Sequence, residues 1–346
     1  MRYGKSICFS IMVFMLLAIV GGCEKKAGAR FISDADTTYS ADIRNVSKKI
    51  NADPTNAELY YTRSNAFYFE DNFKQATLDI EFAIHLDSAN ALYHYKRGNY
   101  LMAGDTANAA EAEKSYKMAL QLKPDFFDAT VDMAKLLLAK QMYPASEALY
   151  TKANTLDPGN PLPYFYLGII AKETGDTLKA MSLFEKTLVY DSKHYNAIMQ
   201  MGNLYALKHD KKALMFFDRA IQLNEFSDEA LYAKGLYLQH QQKYRDAAAL
   251  YETVAKINPA HIFCRYNLGF INGLFGNYRE AIAYLDQAIE LAPEYADAYT
   301  LRGTMKEKLK NSTGAYNDYK KAVLLDENQL RAKEGLGRIN ITISMP

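Results

Sequence analysis

Two adjacent stretches set the frame of this chain: 228-DEALYAKGLYLQHQQKYRDAAALYETVAKINPAH-261 and 262-IFCRYNLGFINGLFGNYREAIAYLDQAIELAPEY-295. They align without a gap. Gly235 falls on Gly269, Ala247 on Ala281, Tyr251 on Leu285, Val254 on Ala288 and Pro259 on Pro293. Working outward, the first of these positions recurs every 33 to 36 residues, at Ser64, Gly98, Ala134, Gly168, Gly202, Gly303 and Gly337. A fixed period in that range marks stacked supersecondary units. About twelve residues further on comes a second small residue: Ala76, Ala112, Ser146, Ala180, Ala213 and Ala315 complete that series. Four beyond it sits a bulky side chain, Ile80, Tyr116, Tyr150, Phe184, Phe217 or Tyr319, and three beyond that Ala83, Ala119, Ala153, Thr187, Ala220 or Ala322. Small and large side chains at these offsets let two antiparallel helices approach closely and interlock.

The pattern resembles the tetratricopeptide repeat (TPR) over roughly residues 57–329, as eight units near 57–90, 91–126, 127–160, 161–194, 195–227, 228–261, 262–295 and 296–329. The resemblance implies an all-α fold, a right-handed α-solenoid of stacked antiparallel helix pairs, A and B in each repeat. Pro follows several B helices, at Pro124, Pro158, Pro259 and Pro293. Gly104-Asp105, Gly175-Asp176 and Gly276-Asn277 mark A–B turns, Gly supplying the left-handed conformation and Asp or Asn the cap of the next helix. The chain departs from the family where its first aromatic, usually Trp, is expected: His94, Thr130, Ile198, Leu231 and Arg265 stand there, and no Trp occurs anywhere. Ser88, Ser192, Glu225 and Glu327 replace the repeat-ending Pro.

Both ends carry their own signals. Arg2 and Lys5 precede an apolar run, Ile7–Val20, long enough for a signal peptide and short for a membrane span. Val20-Gly21-Gly22-Cys23 resembles a bacterial lipobox, so residues 1–22 read as a lipoprotein signal peptide with Cys23 lipidated. Residues 23–38 then form a polar tether, and residues 39–56 an N-terminal capping helix with Ile43, Val46 and Ile50 on one face. Residues 330–346 begin another A helix without a B helix, which fits a C-terminal cap. Glu24 after Cys23 points to the outer rather than the inner membrane of a bacterial cell envelope. Losing residues 1–22 would leave 39 basic against 40 acidic residues, which offers no charge for a nucleic-acid partner. Cys264 is then the one cysteine besides Cys23, so no disulfide framework is available, and it reads as a small core residue.

Numbering each repeat from its first residue, helix A positions 2, 5, 6, 9, 12 and 13 share one face. In the family that face lines a concave groove for a peptide or a partner helix. Carried over, it gives Tyr61, Asn65 and Tyr68, then Tyr95, Asn99 and Met102, then Phe165, Asn203, Tyr232, Tyr266 and Phe270. Asn65, Asn99 and Asn203 all occupy position 9, where an amide offers both donor and acceptor to a peptide backbone. The aromatics add apolar contact, or else pack on neighbouring helices. The carboxylate clamp of chaperone-binding TPRs is missing, since Tyr61 and Tyr95 stand where it needs Lys.

Six scattered histidines show no metal spacing, and there is neither a phosphate-cradling glycine loop nor a nucleophile elbow. The expectation is therefore a non-enzymatic scaffold without a cofactor, binding a protein or peptide in its groove and a membrane through its lipid. A structural assembly factor working through its convex face or dimerisation is a second reading. An accessory subunit of an envelope enzyme, or a hydrolase with no visible motif, is a third.

Overall fold

The structure is a computed structural model that describes residues 38–104 and 108–344. The expected signal peptide, Cys23 and all of the tether but Thr38 lie outside the described residues, as does Asp105. Every described element is an α-helix, as the repeat pattern requires. Two compact units divide the chain, Met1–Ile170 and Ala171–Pro346.

In the first unit, α1 (Ala41–Ala52) precedes the pairs α2 (Ala57–Phe69) with α3 (Phe73–Leu86), α4 (Ala91–Gly104) with α5 (Ala109–Leu122) and α6 (Phe127–Ala139) with α7 (Tyr143–Leu156). Helix α8 (Pro161–Glu173) opens the next pair. In the second unit, α9 (Thr177–Tyr190) is followed by α10 (Tyr195–Leu207) with α11 (Lys212–Leu223) and α12 (Asp228–His240) with α13 (Tyr244–Ile257). Then come α14 (Ile262–Leu274) with α15 (Tyr278–Leu291), α16 (Ala296–Lys308) with α17 (Ser312–Leu325), and α18 (Leu330–Ser344). Within each unit neighbours pack in chain order, and α12 also meets α10, as α16 meets α14.

The local reasons are visible in the caps. Asn72, Asp176, Ser227 and Asn311 each accept a hydrogen bond from the backbone N–H three residues on, closing the N-termini of α3, α9, α12 and α17. In seven repeats, among the described residues, the A helix ends in a left-handed residue, which is Gly175 or Gly276 in two of them. Elsewhere Asp71, Gln141, His209, Gln242 and Lys310 take positive φ at that same place, so the turn holds its geometry where the glycine signal is absent.

The small–large frame is the packing of A on B. A β-carbon on Gly202 would stand 2.6 Å from the Phe217 ring, and one on Gly235 2.7 Å from the Tyr251 ring. Phe217, Tyr251 and Tyr319 are buried beneath those small residues, each side chain contributing about 1.5–3 kcal/mol by burial. Gly337, the last member of the glycine series, differs. A β-carbon there would meet nothing within 4 Å among the described residues, which include no helix packed on that side; Gly335 instead sits against Tyr319 and seats α18 on α17.

Charges extend the frame in a way the small-residue pattern does not announce. Position 7 holds Arg63, whose guanidinium binds Asp79 at 2.6 and 2.8 Å and Ser47 at 3.0 Å, all three buried. One cation thus ties α1, α2 and α3. Arg302 repeats the spacing with Asp318 and Asp286, each sixteen residues away. Position 7 is Met201 in α10 and Leu268 in α14, both buried.

Candidate functional site

The eleven groove candidates fall into two groups. Those in the first unit are largely engaged in holding helices to one another. Asn65 donates to the Tyr61 carbonyl at 3.1 Å and accepts from the Tyr100 hydroxyl at 2.9 Å, linking α2 to α4. Tyr68 lies against Tyr100, ring centroids 5.0 Å apart, and Tyr61 against Tyr93 at 5.4 Å. Asn99 accepts from Tyr116 of α5 at 2.9 Å. Tyr95 donates to Asp132 of α6 at 2.8 Å and packs on Phe126. Burial raises the hydroxyls of Tyr95 and Tyr116 well above the ordinary tyrosine range, and burial pushes Tyr100 up to about 12. Phe165 is buried against Tyr166, so it is a core residue as placed, not a groove wall. The amide expected to meet a peptide backbone is therefore already paired at Asn65 and Asn99.

A cavity of about 530 Å³ between α4 and α6 survives beside these contacts, with Tyr68, Asn99, Met102, Asp132 and Lys135 among its walls. An ion pair, Lys135 to Asp132 at 3.0 Å, runs along its α6 wall, and Tyr95 of α4 donates to the same carboxylate.

The same repeat positions in the second unit build a different site. Between α10 and α12 lies a cavity of about 600 Å³. Its apolar walls are Met199, Ala206, Leu207, Phe217, Ala233 and Leu236; Asn203, Tyr232, Tyr237, Glu229, His209 and His240 supply the polar groups. Phe217 stands where Tyr116 stands in the second repeat and has no hydroxyl to offer. Ala233 and Leu236 replace Asp132 and Lys135, so the α12 wall carries no such ion pair and offers no carboxylate to a hydroxyl from α10 at that place. Asn203 makes no side-chain hydrogen bond to protein among the described residues, and neither does the hydroxyl of Tyr237, the counterpart of Tyr100. Tyr232 packs on Tyr251 and His261 and receives a long hydrogen bond from Asn267 at 3.5 Å; burial raises its hydroxyl.

Tyr266 stacks obliquely on Tyr295 at 5.2 Å, and Phe270 is half-buried against the core around Tyr251 and Leu268. Of the candidates, the structure brings Asn203 and Tyr232 into one cavity; Asn99, Met102 and Tyr68 share the other. Sequence reasoning missed Tyr237, Ala206 and Ala233. The signal was present in the register, since small residues at positions 12 and 6 of successive A helices leave room that Tyr68 or Asp132 fills elsewhere. Cys264 is buried, and burial pushes its thiol up to about 12, which leaves it a core side chain. No group of three potential metal ligands occurs among the described residues.

The tetratricopeptide repeat family profile matches residues 275–335, and that of subunit 3 of the anaphase-promoting complex matches residues 206–288. Residues 275–335 thus match the tetratricopeptide repeat, and the helix pairs of the described residues carry that fold. Among solved structures, the C-terminal part of a TPR repeat-containing protein from Cytophaga hutchinsonii superposes with TM-score 0.57 at 16% identity, over 71% of this chain and 98% of that one. A TPR protein from Parabacteroides merdae gives 0.52 at 19% identity, over 72% and 98%. Both likenesses concern the fold. Curated relatives include the BBSome complex member bbs-4 of Caenorhabditis elegans, 25% identical over 69% of this chain and 52% of that protein. The human mitochondrial import receptor subunit TOM70 is 24% identical over 67% of this chain and 38% of its own length. The chain thus spans about half or less of either relative.

Proposed function

We propose that this protein is a non-enzymatic interaction scaffold that holds a peptide segment of a partner protein on its A-helix face, centred between α10 and α12. The observation that carries the reading is Asn203, an amide without a protein partner among the described residues, on the wall of a largely apolar cavity. Such a group is a ready donor and acceptor for a peptide backbone, and the apolar wall supplies area. The relatives named as a complex member and as a receptor subunit fit a chain that works by binding proteins. Val20-Gly21-Gly22-Cys23 supports a lipid anchor at Cys23 in a bacterial envelope, with the outer membrane favoured by Glu24.

Crosslinked pull-down from membranes tests the groove, comparing the native chain with Asn203→Ala and Leu236→Asp. Partner capture falls in both variants if the face is used; capture at the native level by folded variants refutes it. Mass spectrometry of the mature N-terminus tests the anchor. An acylated Cys23 is expected, and cleavage elsewhere without acyl mass on Cys23 removes that part of the proposal.

A further inference from the structure

The chain shows in its first unit what fits the cavity of its second. At position 12 of the first repeat, Tyr68 lays its ring on Tyr100, position 10 of the second, with centroids 5.0 Å apart and planes 31° apart. Beside them Asn65 binds the Tyr100 hydroxyl. In the fifth and sixth repeats the same three positions hold Ala206, Tyr237 and Asn203, and all three line the one cavity. Truncating a tyrosine to alanine at position 12 leaves room for a ring over Tyr237, and the amide that would close on the tyrosine is unpaired.

We propose that this cavity takes an aromatic side chain of a partner peptide, with the Asn203 amide pairing with the peptide backbone beside it; this rests on the groove reading above. The incoming ring takes the place that Tyr68 holds in the first unit. Phe217 and Tyr232 offer further ring faces, and Met199 a polarisable thioether, all of which favour an aromatic over an aliphatic side chain. Charge argues the same way. No Lys or Arg lines the cavity, whereas Lys135 lines its counterpart in the first unit, so an acidic side chain finds no fixed cation here. Glu229 is the one carboxylate on the wall.

The test uses the purified full chain and blocked heptapeptides Gly-Ser-Ala-Xaa-Ala-Ser-Gly, with Phe, Tyr, Leu or Asp at Xaa, titrated by saturation-transfer NMR. The Phe and Tyr peptides are expected to bind about fivefold more tightly than the Leu peptide, and the Asp peptide more weakly than either. Ala206→Tyr, which restores the ring the first unit carries, should weaken the Phe peptide at least about tenfold with the thermal midpoint held or raised. Ala233→Leu, closing the opposite wall, serves the same purpose should Ala206→Tyr fail to fold. Equal binding of Phe and Leu peptides, native Phe binding by a folded Ala206→Tyr, or no binding of any peptide overturns the aromatic assignment. The groove reading is separated from it by the membrane pull-down. Capture lost in Ala206→Tyr while Phe and Leu bind alike leaves the groove standing with the aromatic claim gone; capture untouched by both closing variants removes the groove as well.

Discussion

The cavity between α4 and α6 and the cavity between α10 and α12 are built from the same repeat positions, yet the amide of one is bonded to its neighbour and that of the other is not. In the first, Tyr116 reaches Asn99, Tyr95 reaches Asp132, and Lys135 completes the pair. In the second, Phe217, Met199, Ala233 and Leu236 occupy those four places apart from Asn203, and Asn203 has nothing to bind. A position in a repeat protein therefore fixes direction, not role. Whether an amide on the A-helix face holds the stack or meets a ligand depends on whether a hydroxyl from the neighbouring helix can reach it. Substitutions that remove or add such partners should break the comparison in known directions.

The largest effect is expected where the first unit relies on buried charge. Asp79→Ala leaves the Arg63 guanidinium buried with Ser47 alone, and loss of one partner from such a pair costs about 3–5 kcal/mol. Urea unfolding should show it, with early exposure of α1. A loss below about 1 kcal/mol would mean that Arg63 does not tie the first three helices.

Next comes the amide itself. Asn99→Ala strips the Tyr116 hydroxyl of its acceptor in a buried place and should cost about 1–3 kcal/mol by the same measurement. Unchanged stability would indicate that Tyr116 finds another partner. The converse experiment turns the second cavity into the first: Phe217→Tyr supplies Asn203 with the hydroxyl it lacks, and should stabilise by about 0.5–1.5 kcal/mol while weakening partner capture. A destabilised Phe217→Tyr would show that Tyr116 and Phe217 are not interchangeable by register.

The two ends differ in kind as well. Arg63 holds α1 from within, whereas α18 is clasped by Arg338 on Glu307 at the surface, at 3.0 and 3.1 Å, with Tyr319 donating to the same carboxylate. Arg338, then Tyr319, lower the Glu307 carboxyl below its ordinary value of 4.5 against an opposing burial effect. A depressed pKa in the folded state contributes stability above 4.5 that is lost as pH falls through the lower folded value. Hydrogen-exchange protection of α18, taken relative to the intrinsic exchange rate at each pH, should accordingly fall below pH 4.5, by under about 1 kcal/mol because Arg338 is half exposed. Protection there that is unchanged down to pH 3 would deny the clasp.

The fold was legible in the sequence because the small–large frame is a property of the backbone approach, and it recurs in every repeat. Gly202 over Phe217 and Gly235 over Tyr251 are the contacts that spacing alone implied. The last glycine misled, since Gly337 keeps the period but faces no B helix among the described residues, and Gly335 does the packing. The left-handed turn residues Asp71, Gln141, His209, Gln242 and Lys310 were likewise invisible, because no residue type announces them. Of the site, helical geometry gave the face but not the occupancy. Asn65 and Asn203 look alike in sequence; what separates them is a hydrogen bond from Tyr100 in the next repeat that Tyr237 does not make. Likewise Phe165 shares the groove register and is buried all the same.

The central claim is that Asn203 serves a ligand and not the fold, and Asn203→Ala tests it most directly through two readings on one protein. Urea unfolding should place its stability within about 0.5 kcal/mol of the native chain, as befits a side chain with no protein partner. Partner capture should fall about tenfold, the loss of roughly one well-made hydrogen bond in a desolvated groove. A variant that loses stability as Asn99→Ala is expected to, yet captures its partner at the native level, would contradict the account.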